Sequence, residues 1–143
     1  MRDKIQNDIK VCEIKEKAFK TDIEKRWGCQ LKKLAIVYGF DYAVVKGSEI
    51  RGFLELKNRN FQTTDFNDSI INLNKWMKAK ELRDATGLPT ILACRYNNKD
   101  IFCKLTMETD YKLKWGARTK NTRDWQDIQP AVHINIKEFK ELK

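Results

Sequence analysis

"GFLELKNRN", residues 52–60, alternates in a way that gives one strand and leaves two readings of what that strand does. A β-strand rises about 3.3 Å per residue and turns successive side chains to opposite faces. Leu54 and Leu56 therefore share one face, while Phe53, Glu55 and Lys57 share the other. The leucine face belongs in a core. The second face sets a carboxylate beside an ammonium, which is either an ordinary exposed ion pair or half of a site.

The segment just upstream, "FDYAVVKG" (40–47), is rich in β-branched and aromatic residues and reads as a second strand. With Gly47-Ser48-Glu49 as a three-residue loop, the pair forms an antiparallel hairpin in which Lys46 faces Ile50 and Asp41 faces Glu55. Directly opposed residues hold their Cβ atoms about 5 Å apart, and two carboxylates that close repel unless a cation lies between them. Magnesium takes oxygen ligands at about 2.1 Å and commonly uses one or two carboxylates with waters and substrate phosphate. Lys57 would then hold its ammonium beside the phosphate. A slip of one residue sends Asp41 to the other face and leaves Glu55 as a surface ion pair.

Outward from the hairpin, residues 3–20 suggest a helix with a loose apolar stripe of Ile5, Ile9, Cys12 and Phe19. "TDIE" (21–24) has the form of a capping box, with Thr21 capping and Glu24 reaching back. A second helix is expected from there to Gly39, with Ile23, Trp27, Leu31 and Leu34 inward. "RNFQTTDFND" (59–68) reads as loop, and "SIINLNKWMKAKELRDATG" (69–87) as a helix stopped by Gly87 and Pro89. "PTILACRYN" and "DIFCKLTME" form strands joined at Asn97-Asn98-Lys99, and "AVHINIKEF" a last strand. "YKLKWGARTKNTRDWQD" (111–127) has no clear period and reads mostly as loop. The order indicates one mixed α/β domain.

The chain has 143 residues, and with 41% hydrophobic and 34% charged residues it is a folded domain with a heavily charged surface rather than a disordered tail. No apolar run approaches the roughly 20 residues that cross a bilayer, and the N-terminus lacks the apolar core of a signal peptide; the expected location is cytoplasmic. A net charge of +9 favours a polyanionic partner, nucleic acid before anionic lipid. Cys12, Cys29, Cys94 and Cys103 lie far apart without CxxC spacing, and with His133 the sole histidine they do not form a zinc pattern.

Asp41, followed fourteen positions later by Glu55-Leu56-Lys57, resembles the PD-(D/E)XK nuclease superfamily. The resemblance extends to "SIINLNKWMKAKELRDATGLP" followed by "TILACRY", and to "GARTKNTRDWQDIQPAVHI", which are similar to short phage-type members. It covers roughly residues 21–139. Two departures stand out: Phe40 occupies the place of the family's proline, and no histidine lies near the motif.

The resemblance implies a restriction-endonuclease-like α/β fold, a central mixed β-sheet flanked by helices, in a nuclease domain at 21–143 preceded by a helical extension at 1–20. It implies that Asp41 and Glu55 bind Mg²⁺ or Mn²⁺, with the Leu56 carbonyl a further ligand, and that Lys57 orients or activates the attacking water. Glu24 matches the place of an additional acid in some members; its other reading is the capping box. Lys75 would approach the scissile phosphate, and Lys78, one turn on, would contact nucleic acid or lie on a solvated face. Gln62 would touch substrate or make a loop hydrogen bond. Arg118, Lys120 and Arg123, with Trp115 and Trp125 nearby, would contact phosphates and stack on bases, unless the tryptophans belong to the core. The expected activity is metal-dependent DNA endonuclease, structure-selective or site-specific, acting as a homo-oligomer without membrane contact. The alternative is a nucleic-acid-binding module that keeps the fold without cleaving.

Overall fold

The computed structural model describes residues 2–115 and 129–143. Strand β3 (Glu49–Asn58) lies at the centre of a six-stranded sheet. Its order is β1 (Gln30–Lys33), β2 (Tyr42–Lys46), β3, β5 (Thr90–Arg95), β6 (Asp100–Lys104) and β9 (Lys140–Glu141). All neighbours are antiparallel except β3 and β5. A parallel pair needs a crossover, and here it carries β4 (Asp68–Asn72) and helix α2 (Leu73–Thr86). A second sheet of β4, β8 (Pro130–Asn135) and β7 (Tyr111–Trp115) packs on the α2 side.

The two faces of β3 follow its alternation. Leu54 and Leu56 join Tyr42, Val44, Ile91 and Ala93 against Phe19 and Ile23 of α1 (Arg2–Trp27). Phe19, Ile23 and Trp27 recur every four residues, so one side of α1 meets the sheet. Each such apolar side chain contributes about 1.5–3 kcal/mol on burial. On the opposite face Phe53 joins Ala43, Leu92 and Cys94 against Ala79 of α2, Ile71 of β4, and Val132 and Ile134 of β8. Glu55 shares this face and is 1% exposed.

Several elements differ from the sequence reading. Helix α1 is continuous through residues 20 and 21, so "TDIE" caps nothing: the Thr21 hydroxyl donates to the Lys17 carbonyl at 2.9 Å. The helix ends at Trp27, where Gly28 takes φ +60°, rather than at Gly39. Leu31 reaches the same core from β1, and this tertiary convergence imitated a helical period. The stretch 69–72 is strand, not helix; Asn72 ends it and caps α2, its Oδ1 accepting from Lys75 N at 2.9 Å. Met77, on the outer side of α2, is exposed. Tyr111–Trp115 is a strand, read as loop because all five residues are exposed and no apolar period marks it. The turn at Asn97-Asn98 forms as expected, closed by Tyr96 N donating to Lys99 O.

Candidate active site

The β2–β3 hairpin sets the geometry. Lys46 pairs with Glu49, not Ile50, so the turn has two residues, Gly47 and Ser48. One step on, Val45 faces Ile50 and Val44 faces Gly52, leaving Arg51 as an extra residue in a β-bulge. The bulge restores the expected register from there: Val44 with Gly52, Ala43 with Phe53 and Tyr42 with Leu54. Asp41, the residue just before β2, thus comes beside Glu55. Its Oδ2 accepts from Leu56 N at 3.0 Å. Because a strand residue's N–H and C=O point to the same neighbour, the Leu56 carbonyl also points to the Asp41 side.

Glu55 is a buried acid with one oxygen accounted for. Lys75 Nζ lies 3.0 Å from Oε1, whereas Oε2 is buried with no hydrogen-bond partner among the described residues. Desolvation, followed by repulsion from Asp41, pushes the Glu55 pKa up to about 7, against the opposing effect of Lys75 and Lys57. Lys75 sits in the first turn of α2, which holds no acidic residue and where the helix dipole disfavours a cation. Its partner in Glu55 offsets that placement, and the helix N-terminus adds to the positive field. Lys57 is half-buried on the same face, two residues along β3.

This set suits a divalent cation. It offers an acid that burial makes costly to ionise, an unpartnered oxygen on that acid, a second carboxylate close enough to repel it, and a strand carbonyl on the same side. Among the described residues no group of three or more His, Cys, Asp or Glu gathers. A two-carboxylate site matches the habit of magnesium, which keeps waters and substrate oxygens in its remaining positions.

The other predicted residues are dispersed. Glu24 lies in the α1 layer, across the sheet from Glu55, where its Oε2 accepts from Leu31 N at 2.9 Å and joins helix to strand. Lys78 Nζ pairs with Glu81 at 3.0 Å, and its stem packs on Gly39 so tightly that a Cβ there would meet Lys78 Cγ at 2.5 Å. Gln62 is exposed in a loop where its N–H donates to Asp65 Oδ2 at 2.8 Å. Trp115 is exposed at the end of β7. Arg118, Lys120, Arg123 and Trp125 lie outside the described residues.

Two residues near the pair were not singled out from the sequence. Glu16, two turns before Glu24 on α1, accepts from the Tyr42 hydroxyl at 3.2 Å and lies 3.4 Å from Lys33 Nζ, which is itself 3.7 Å from Asp41 Oδ1. The helix-borne acid at the Asp41 end is therefore Glu16. Arg59 continues the row of Glu55 and Lys57, its Nη2 donating to the Ile70 carbonyl at 2.6 Å. The alternation in "ELKNR" was its visible signal.

No functionally curated protein matches the chain. Its fold is similar to that of Hjc from Archaeoglobus fulgidus, solved at 1.6 Å and described as a Holliday junction resolvase from an archaeal hyperthermophile. That match has a TM-score of 0.57 and 14% identity, and covers 89% of this chain and 88% of the other. A family model described as "Phage putative PDDEXK endonuclease" matches residues 8–142. With nearly the whole chain inside that match, the protein belongs to the phage PDDEXK endonuclease family.

Proposed function

We propose that this endonuclease is a divalent-metal-dependent deoxyribonuclease that hydrolyses phosphodiester bonds at Asp41, Glu55 and Lys57. The observation that carries the reading is Glu55: a buried carboxylate with Oε2 unpartnered, Oε1 held by Lys75, and Asp41 beside it. Asp41 and Glu55 are the side chains that would hold Mg²⁺ or Mn²⁺, with the Leu56 carbonyl as a third oxygen. When bound, such an ion lowers the pKa of water and acts as a Lewis acid on the phosphoryl group.

The chain's own residues supply the rest. Lys57 orients the attacking water and neutralises charge that develops on the phosphoryl oxygens. Lys75 fixes the rotamer of Glu55 and favours its ionised form, which makes it a positioning residue. Lys78 and Gln62 provide outer contacts to the nucleic-acid backbone, as do Arg118, Lys120 and Arg123. Glu24 keeps α1 on β1 and is assigned no contact with substrate. The excess of 29 basic over 20 acidic residues steers the polyanion to the surface.

The similarity in fold to a Holliday junction resolvase supports branched DNA as a substrate class to test beside linear duplex. Tyr111, Leu113 and Trp115 alternate with lysines along the outer strand of the small sheet and are 43%, 57% and 73% exposed. That row supports assembly with a second copy. No described helix is long and apolar enough to cross a membrane. The four cysteines are free thiols, which supports action in the reducing cytoplasm.

The test is cleavage of matched duplex, nicked, single-stranded and four-way-junction DNA, with RNA counterparts, in Mg²⁺, Mn²⁺ or EDTA. The expected result is cutting of DNA that requires the metal and is lost in Glu55→Ala and Lys57→Ala with folding intact. Salt-sensitive binding without cutting, unchanged in both variants, would leave a binding module instead.

A further inference from the structure

The row of Glu55, Lys57 and Arg59 runs off the end of β3 into a groove of about 770 Å³ between the loop at 59–67 and the small sheet. Lys57, Arg59 and Lys114 give it positive charge, and Phe61, Phe66 and Tyr96 give it aromatic surface. Asp68, the one acid among the described residues that line it, lies 3.5 Å from Nδ1 of His133, which also lines the groove. Lys57 and Arg59 are two residues apart on one face, so the basic track starts at the carboxylate pair and leads inward.

The aromatic residues are arranged as a supported ladder. The Phe61 ring meets Tyr96 at 5.5 Å and 66°, and Phe66 at 4.9 Å and 73°. Tyr96 is buried, whereas Phe66, which meets Phe61 edge to face, is 59% exposed. A ring fixed from behind and open in front, beside a row of cations, matches what a single nucleotide presents: a flat apolar face joined to an anionic phosphate. The volume lies within the usual range for a small-molecule site. Paired bases inside a continuous duplex cannot reach such a ring.

We propose that this groove receives an unpaired nucleotide of the cleaved strand, its base on Phe66 and its phosphate on Arg59 and Lys114, next to the phosphate held at Lys57. The inference rests on the nuclease reading above and narrows it. The preferred substrates are DNA with a flap, bulge or gap beside the cut, or a junction with unpaired nucleotides at its branch point, rather than continuous duplex or a fully paired junction.

The test uses two duplexes that differ by one unpaired 2-aminopurine nucleotide, titrated with the protein in EDTA and then cleaved in Mg²⁺. Wild type should bind the unpaired substrate at least about tenfold more tightly than the matched one, with a change in 2-aminopurine fluorescence. Phe66→Ala should bring the two affinities together and abolish the fluorescence change, while Phe66→Tyr restores both. Equal affinity in wild type, or a preference that survives Phe66→Ala, would overturn the groove assignment. Metal-dependent cutting without any such preference would leave the nuclease standing and remove the groove. The preference without cutting of any substrate would do the reverse.

Discussion

The two faces of β3 are made from alternate residues of one strand, yet they are built for opposite ends. Toward α1, Leu54 and Leu56 meet Phe19 and Ile23 in a closed apolar layer. Toward α2, Glu55, Lys57 and Arg59 hold charge in places where solvent is partly or wholly excluded. The first face is favourable at every position. The second concentrates repulsion, desolvation and an unpartnered oxygen on one residue, Glu55. Where local rules are broken in an otherwise consistent strand, function is the usual reason.

Substitutions on the two faces should therefore separate activity from stability. The largest effect is expected from Glu55→Gln, which should lower cleavage by about 10²–10⁴-fold, the range typical of a lost catalytic group, without lowering the unfolding midpoint at neutral pH. Leu54→Ala, one residue away, should do the opposite: about 2–5 kcal/mol of stability lost, with cleavage by the folded fraction retained. A Glu55→Gln protein that cuts normally would show that the charged face does not carry catalysis, and a Leu54→Ala protein as stable as wild type would show that the apolar face does not carry the fold. Both are read from denaturant unfolding alongside a cleavage assay.

Lys57→Ala should reduce turnover by about 10²–10³-fold, comparable to the loss of one oxyanion donor, with the unfolding curve unchanged. The pH dependence sharpens the electrostatic part. The Glu55 pKa is raised on folding, so the folded state binds more protons than the unfolded one between the two values. The associated stability is fully present below the ordinary glutamate pKa of about 4.3 and is lost as pH rises through about 7. In EDTA, unfolding free energy should fall by roughly 3 kcal/mol across that window from this group, and Glu55→Gln should flatten the profile. The smallest effect is expected from Glu24→Ala, which removes the acceptor for Leu31 N and should cost about 1 kcal/mol with no change in cleavage.

The same contrast explains what was legible in the sequence. The strand of Leu54 and Leu56 followed from alternation, and a turn signal offered the register that brings Asp41 to Glu55 without excluding a slip of one residue. They came out right even though a two-residue turn plus a bulge at Arg51 replaced the expected three-residue loop. What periodicity could not convey was convergence from distant segments. Leu31 imitated a helical repeat because β1 and α1 feed one core. The strand of residues 69–72 was absorbed into the helix that directly follows it. Tyr111–Trp115 carried no buried face to mark it as a strand. Glu16 was illegible for a related reason: it is defined by a partner far along the chain, Tyr42.

Whether Asp41 and Glu55 together hold a cation is decided by calorimetric titration with Mn²⁺. Run slightly below the Glu55 pKa in two buffers of different ionisation enthalpy, wild type should bind the ion and release protons, because the cation favours the ionised carboxylate. Glu55→Gln should lose both the binding and the proton release, and Asp41→Asn should lose the binding. Binding of Mn²⁺ with the same affinity and proton count in Glu55→Gln as in wild type would mean that Glu55 is not a ligand of the cation.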